Sequence, residues 1–153
     1  MIQNERDIRH EQVLRGVRQM MTAARTAPKA KGIDIIEMAL VADADLIQLA
    51  DKLESMGKES GKESFLRDSD NIRHAEAVMI IGTRQQTMGL NCAYCGSPTC
   101  FSKPEDTPCA INSIDLGIAI GSACATAADL RLDTRVMFSG GLAAQRLGWL
   151  GES

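Results

Sequence analysis

Four of the five cysteines in this 153-residue chain, Cys92, Cys95, Cys100 and Cys109, fall within eighteen residues. Their spacing is C-x2-C-x4-C-x8-C, with mostly small residues and proline between the first three thiols. Two thiolates three positions apart can turn toward one point, and two more on the following loop complete a four-sulfur cage. Three chemistries use such a set: an iron–sulfur cluster, an all-cysteine zinc site and a redox-active dithiol. All-cysteine ligation at uneven spacing suits a cluster. Zinc sites usually supply a second closely spaced pair or a histidine, whereas Cys100 and Cys109 stand nine apart. Cys92, Cys95, Cys100 and Cys109 are therefore read as metal ligands, with an iron–sulfur cluster, [4Fe–4S] or [2Fe–2S], as the expected cofactor and zinc or a redox dithiol as the alternatives. His10 and His74 lie far from the cage and at no zinc-ligand spacing, so they read as surface or satisfied residues. Cys124, among small residues on an expected helix, reads as a buried inert thiol.

Composition narrows the setting. With 44% hydrophobic and 24% charged residues the chain suits one globular domain over residues 1–153. A net charge of −3 and only 3% aromatic residues supply neither a basic footprint nor a stacking platform for nucleic acid. The longest weakly polar run, residues 116–128, is shorter than the roughly 20 residues of a spanning helix, so no membrane insertion is expected. The N-terminus lacks the basic start and apolar core of a signal peptide. The expected location is the cytoplasm, where reducing conditions leave cysteines free for metals.

Periodicity predicts the elements. Leu14, Val17, Met21 and Ala24 recur at helical spacing over residues 5–25, with Arg6, Arg9, Arg15 and Arg18 on a solvated face. Pro28 and Gly32 stop this helix. Residues 33–41 read as a buried strand. Asp43 is the expected N-cap of a second helix carrying Leu46, Ala50 and Leu53, with Gly57 as its stop. Residues 58–64 read as loop, 65–76 as a short helix or turn, and 77–82 as a second strand. A small-residue helix is expected over 113–130, with Asp115 in its first turn. Residues 135–138 read as a third strand, Gly140-Gly141 as a turn and 142–147 as a last short helix. This order predicts an α/β (α+β) fold, a three-layer helix–sheet–helix domain. The cysteine-rich loop, residues 89–109, is inserted before the small-residue helix.

The loop has too few apolar residues to fold alone, and Pro98, Pro104 and Pro108 stiffen it. Backbone N–H groups near Gly96 and Thr99 are expected to support a cluster of net charge −2. Lys103 adds a favourable charge, while Glu105 and Asp106 oppose reduction.

The run Gly89-Leu90-Asn91-Cys92-x2-Cys95-Gly96-x2-Thr99-Cys100 resembles the small [4Fe–4S] domain of corrinoid iron–sulfur proteins and of the B subunit of ion-pumping electron-transport complexes. Over nearly its whole length the chain resembles a family of ferredoxin-domain-containing proteins common in anaerobic bacteria and archaea. The resemblance rests on residues 26–32, 65–68, the cysteine loop, 115–123 and 133–137. Ala93 stands where such loops often have glycine, and the gap to Cys109 is shorter than in the electron-transport domains. The order of elements is also similar to the core of flavin-dependent nitroreductases. That similarity implies FMN at a dimer interface, although the arginine-rich motif that grips the flavin phosphate is not evident.

Three other features carry two readings each. Gly140-Gly141 before a helix is a plain turn or a phosphate cradle. Lys29 and Lys31 beside Pro28 are solubilising or bind an anion. Gly117, Gly121 and Ala125 serve internal packing or a homodimer seam. The function expected is one-electron transfer between an iron–sulfur cluster and a redox partner protein or a flavin. The alternatives are an FMN-binding oxidoreductase and a zinc-stabilised interaction module.

Overall fold

Alternation along two short strands organises the molecule, whose computed structural model describes residues 1–151. Strands β1 (Ile36–Val41) and β2 (Val78–Thr83) pair antiparallel, with Met38 opposite Ile81, Leu40 opposite Met79 and Val41 opposite Val78. Successive side chains on a strand point to opposite faces. Met38, Leu40, Met79 and Ile81 therefore meet one helical layer, built from α1 (Glu5–Thr26) and α4 (Ala110–Asp129). Val41, Val78 and Ile80 meet the other, in which α2 (Ala44–Ser60), α3 (Glu63–Arg73) and α5 (Phe138–Arg146) pack. A two-stranded sheet is marginal by itself. Here both of its faces are covered, which gives the three-layer helix–sheet–helix arrangement.

Each helix buries the stripe its sequence provides. α1 turns Val17, Met20 and Ala24 inward against Ala119, Ala123 and Ala127 of α4. Small residues on α4 let the two backbones approach closely enough for the Ser122 hydroxyl to donate to the carbonyl of Ala23 at 3.0 Å. On the opposite face Leu49, Ala50 and Leu53 of α2 are fully buried. Arg73 of α3 donates to Asp51 and Glu54 of α2, each at 2.6 Å, and clamps that pair of helices from outside.

Several expectations are corrected. Residues 135–138 form no strand: residues 133–136 are exposed and unpaired, and Phe138 opens α5. A short apolar run is ambiguous by periodicity alone, and this one pairs with neither strand of the sheet. Gly57 does not stop α2. It lies buried inside the helix, where a Cβ would come within 2.8 Å of Leu66, and the left-handed Gly61 ends the helix instead. Residues 58–60, expected in a loop, are helical, and α3 starts at Glu63. Gly140 and Gly141 sit inside the first turns of α5 and make no separate turn before a helix. Asp43 occupies the N-cap position of α2, but its side chain makes no capping bond and faces His10 at 3.3 Å.

Candidate metal centre

Between β2 and α4 the chain runs through residues 84–109 without helix or strand. An irregular segment of this length inside a compact domain is characteristic of a functional loop, and it contains the four clustered cysteines. Three side-chain bonds secure its base. The Asn112 side chain of α4 donates to the carbonyl of Gln86. Lys31 donates to the carbonyl of Met88 at 3.2 Å. The Gln85 side chain donates to the carbonyl of Glu105 at 2.6 Å, closing the loop upon itself.

The first two cysteines flank a tight turn. Gly96 N–H donates to the carbonyl of Ala93 at 2.9 Å. Asn91 (φ +48°), Ala93 (φ +61°) and Gly96 (φ +86°) all adopt left-handed backbone. Asn91 then reaches across the loop: its N–H donates to Cys100 Sγ at 3.4 Å, and its Oδ1 accepts from the Cys100 N–H at 2.8 Å. Thr99 and Ser102 bind each other through backbone and hydroxyl groups and shape the turn after Cys100.

Cys109 holds the N-cap position of α4. Burial pushes its thiol up, but the N–H groups of Asn112, Met88 and Ile111, with the charge of Lys103, outweigh this and bring its pKa below the ordinary thiol value. Lys103 itself is folded back, donating to the carbonyls of Pro104 and Thr107. The sulfurs of Cys100 and Cys109 thus both meet amides of one short segment, residues 88–91.

All four cysteines are free thiols: Cys92 is exposed and Cys95, Cys100 and Cys109 are half-buried. Among the described residues, no three cysteine, histidine or carboxylate side chains gather closely enough to hold one metal ion. The loop therefore presents the donors without bringing them to a point. Donor chemistry nonetheless fits an iron–sulfur cluster, whose thiolate ligands are stabilised by N–H groups of the kind already directed at Cys100 and Cys109. Bringing all four sulfurs to one cluster would require the loop to tighten. Cys124 is half-buried on α4 rather than fully buried. His10 is satisfied by Glu76 at 3.0 Å and Asp43 at 3.3 Å, and His74 by the carbonyl of Asp70 at 2.8 Å.

Other motifs find structural roles. Lys29 donates to the carbonyls of Ala24, Arg25 and Ala27 and so caps the end of α1. Lys31 likewise bonds the cysteine loop, so both lysines also serve as structural fasteners. Asp115, expected in the first turn of its helix, is instead buried past it, because α4 begins at Ala110. Its carboxylate accepts the Ala30 N–H at 3.0 and 3.2 Å, joining the 26–32 turn to α4.

Sequence reasoning missed one polar cluster. Asp68, buried on α3, accepts from the Ser139 hydroxyl at 2.6 Å and from Arg67 at 2.9 Å. It lines a cavity of about 440 Å³ shared with Asn71, Arg135 and Phe138. Residues 65–68 and 133–137, two stretches that carry the family resemblance, meet there; their separation in sequence hid the pairing.

The comparisons with known proteins point to a ferredoxin-domain family. Residues 105–153 match the family described as uncharacterised protein containing a ferredoxin domain (DUF2148). An uncharacterised protein of Archaeoglobus fulgidus is 39% identical over 160 residues, covering 98% of this chain and 86% of that protein. No solved structure matches the chain. With similarity running from end to end, the chain belongs to this family of ferredoxin-domain-containing proteins.

Proposed function

We propose that the protein is an electron carrier in which Cys92, Cys95, Cys100 and Cys109 hold one [4Fe–4S] cluster and exchange single electrons with a redox partner protein or a flavin. The observation that carries this reading is the irregular 84–109 segment, which bears four free thiols and directs backbone amides at Cys100 and Cys109. When bound, the cluster supplies a one-electron couple. The chain's part is to set its potential. N–H groups of residues 88, 91, 111 and 112 stabilise negative charge on sulfur and so favour the reduced state, while Glu105 and Asp106 oppose it. Four protein ligands leave no open iron, so the role is transfer rather than substrate chemistry at the metal. An acidic carrier in a reducing cytoplasm is consistent with the charge balance and with free cysteines.

The test is anaerobic purification of the full chain, with iron, acid-labile sulfide, zinc and flavin measured together. Close to four iron and four sulfide per chain, about the content of one cubane, are expected. Serine at position 92, 95, 100 or 109 is expected to lower both, whereas Cys124→Ser leaves them unchanged. Stoichiometric zinc in a colourless protein overturns the assignment in favour of a zinc-stabilised module. Bound FMN without iron overturns it in favour of a flavin oxidoreductase.

A further inference from the structure

One face of α4 is covered by nothing among the described residues. Its inner side, with Asn112, Asp115, Ala119, Ala123 and Ala127, is buried. The opposite side presents Ile114, Gly117, Ile118, Gly121, Ala125 and Ala128 to solvent, and the exposed polar side chains bordering it on α4 are Ser113 in the first turn and Asp129 at the last residue. Ile114 is 50% and Ile118 42% exposed. A helix on the surface of a globular protein normally turns polar residues outward. α1, in the same layer, does so with Arg9, Glu11, Arg15 and Arg18.

The glycines supply an internal comparison. Glycine inside a helix weakens it and persists where a neighbour comes close. At Gly16 and Gly57 that neighbour belongs to the chain, since a Cβ would lie 2.5 Å from Leu132 or 2.8 Å from Leu66. At Gly117 and Gly121, as at Gly141 of α5, a Cβ would meet nothing within 4 Å. Internal packing thus does not account for these two glycines.

We propose that this face is the seam of a two-fold homodimer, in which α4 packs against α4 of a second copy. A two-fold contact needs one patch that complements itself. Here the ridge of Ile114 and Ile118 runs beside the groove at Gly117, Gly121 and Ala125, so each copy supplies both halves of the fit, and i±4 rows interdigitate. Apart from Asp129 at its far end, the face has no charge by which to select an acidic or basic partner. From Ile114 to Ala128 it runs about 21 Å. With Ile120 and Cys124 at its border, on the order of 400–500 Å² per copy is covered, which brings the total near the ~1,000 Å² at which specific association begins. Such a dimer dissociates on dilution.

Sedimentation velocity of the full chain between about 1 and 200 µM tests this by mass action. A monomer–dimer equilibrium is expected in the wild type. Gly121→Leu fills the groove and is expected to weaken the dimer by roughly tenfold or more. Ile118→Lys is expected to do the same by placing a charge in the seam. Neither should lower the thermal midpoint of the dilute monomer, because both side chains enter open space. Iron content, read on each variant, keeps this result separate from the cluster assignment. A monomer at the highest concentration overturns the proposal, as does a dimer indifferent to both substitutions. By length and composition α4 could also cross a membrane. A monomer that pellets with phosphatidylcholine–phosphatidylglycerol vesicles would assign the face to lipid instead.

Discussion

Ala93 holds a backbone conformation that suits glycine better. At φ +61° its Cβ crowds the following carbonyl, a strain of roughly 1–2 kcal/mol for an L-residue. Glycine at position 93 removes that strain but makes the unfolded chain more flexible, which takes back about 0.4–1 kcal/mol. Ala93→Gly is therefore expected to be neutral or to stabilise by up to ~1 kcal/mol in urea unfolding, and to slow proteolysis within the loop. Gly96→Ala, at φ +86°, is expected to cost about 1 kcal/mol or more and to speed it. If glycine at 93 proves clearly destabilising, the turn between Cys92 and Cys95 is not the one described. The sequence singled out Ala93 only by comparison with loops that have glycine there; the reason is a left-handed turn, which composition does not show. The cysteines themselves were legible because ligands must be particular residue types at short spacing. Asp115 was misread because a carboxylate near a helix start has an adequate local explanation, while its actual partner, the Ala30 N–H, lies 85 positions away.

At the scale of elements, the same residue type serves opposite ends on α2 and α4. Gly57 is buried against Leu66 and Phe65, whose atoms would lie 2.8 and 3.2 Å from an added Cβ. Gly117 faces open space. Gly57→Ala is expected to destabilise by about 1 kcal/mol, the overpacking outweighing the helix gain. Gly117→Ala is expected to stabilise the dilute monomer by ~0.5–1 kcal/mol through helix propensity alone. Urea midpoints of the two variants should move in opposite directions, and movement in one direction would contradict the packing assigned to Gly57. This contrast also explains what was legible. α1 declares itself by period and the two strands by runs of branched apolar residues, which supply the positions the core requires. Gly57 and Gly140 did not, because a glycine signals either a chain reversal or a close approach. Only the neighbour across the interface, Leu66 on α3 or Ile72 near Gly140, decides which.

Across the whole molecule, three carboxylates fasten elements that the hydrophobic layers leave adjacent. Asp34 receives Arg25 at 2.8 Å and joins α1 to the start of β1. Glu54 receives Arg73 and joins α2 to α3. Glu76 receives His10 at 3.0 Å and Arg9 at 3.1 Å and joins the end of α3 to α1. Burial acts to raise the Asp34 pKa, but the bonds from Arg25 and the Ile36 N–H prevail and lower it. Bonds from Lys58 and Arg73 lower that of Glu54, and the bond from His10 lowers that of Glu76. A carboxylate that ionises more readily folded than unfolded contributes stability above its unfolded pKa, about 4. That contribution disappears as pH falls through the lower folded value. The urea midpoint is therefore expected to hold near neutral pH and to fall from roughly pH 5 to pH 3. Because the partners are largely exposed, the fall should be shallower in high salt. Acid also attacks a metal-thiolate site, so the decisive comparison is Glu76→Gln against wild type. The variant should start less stable at pH 7 and converge on the wild type as Glu76 protonates. A constant gap between the two across that range would show that Glu76 fastens nothing.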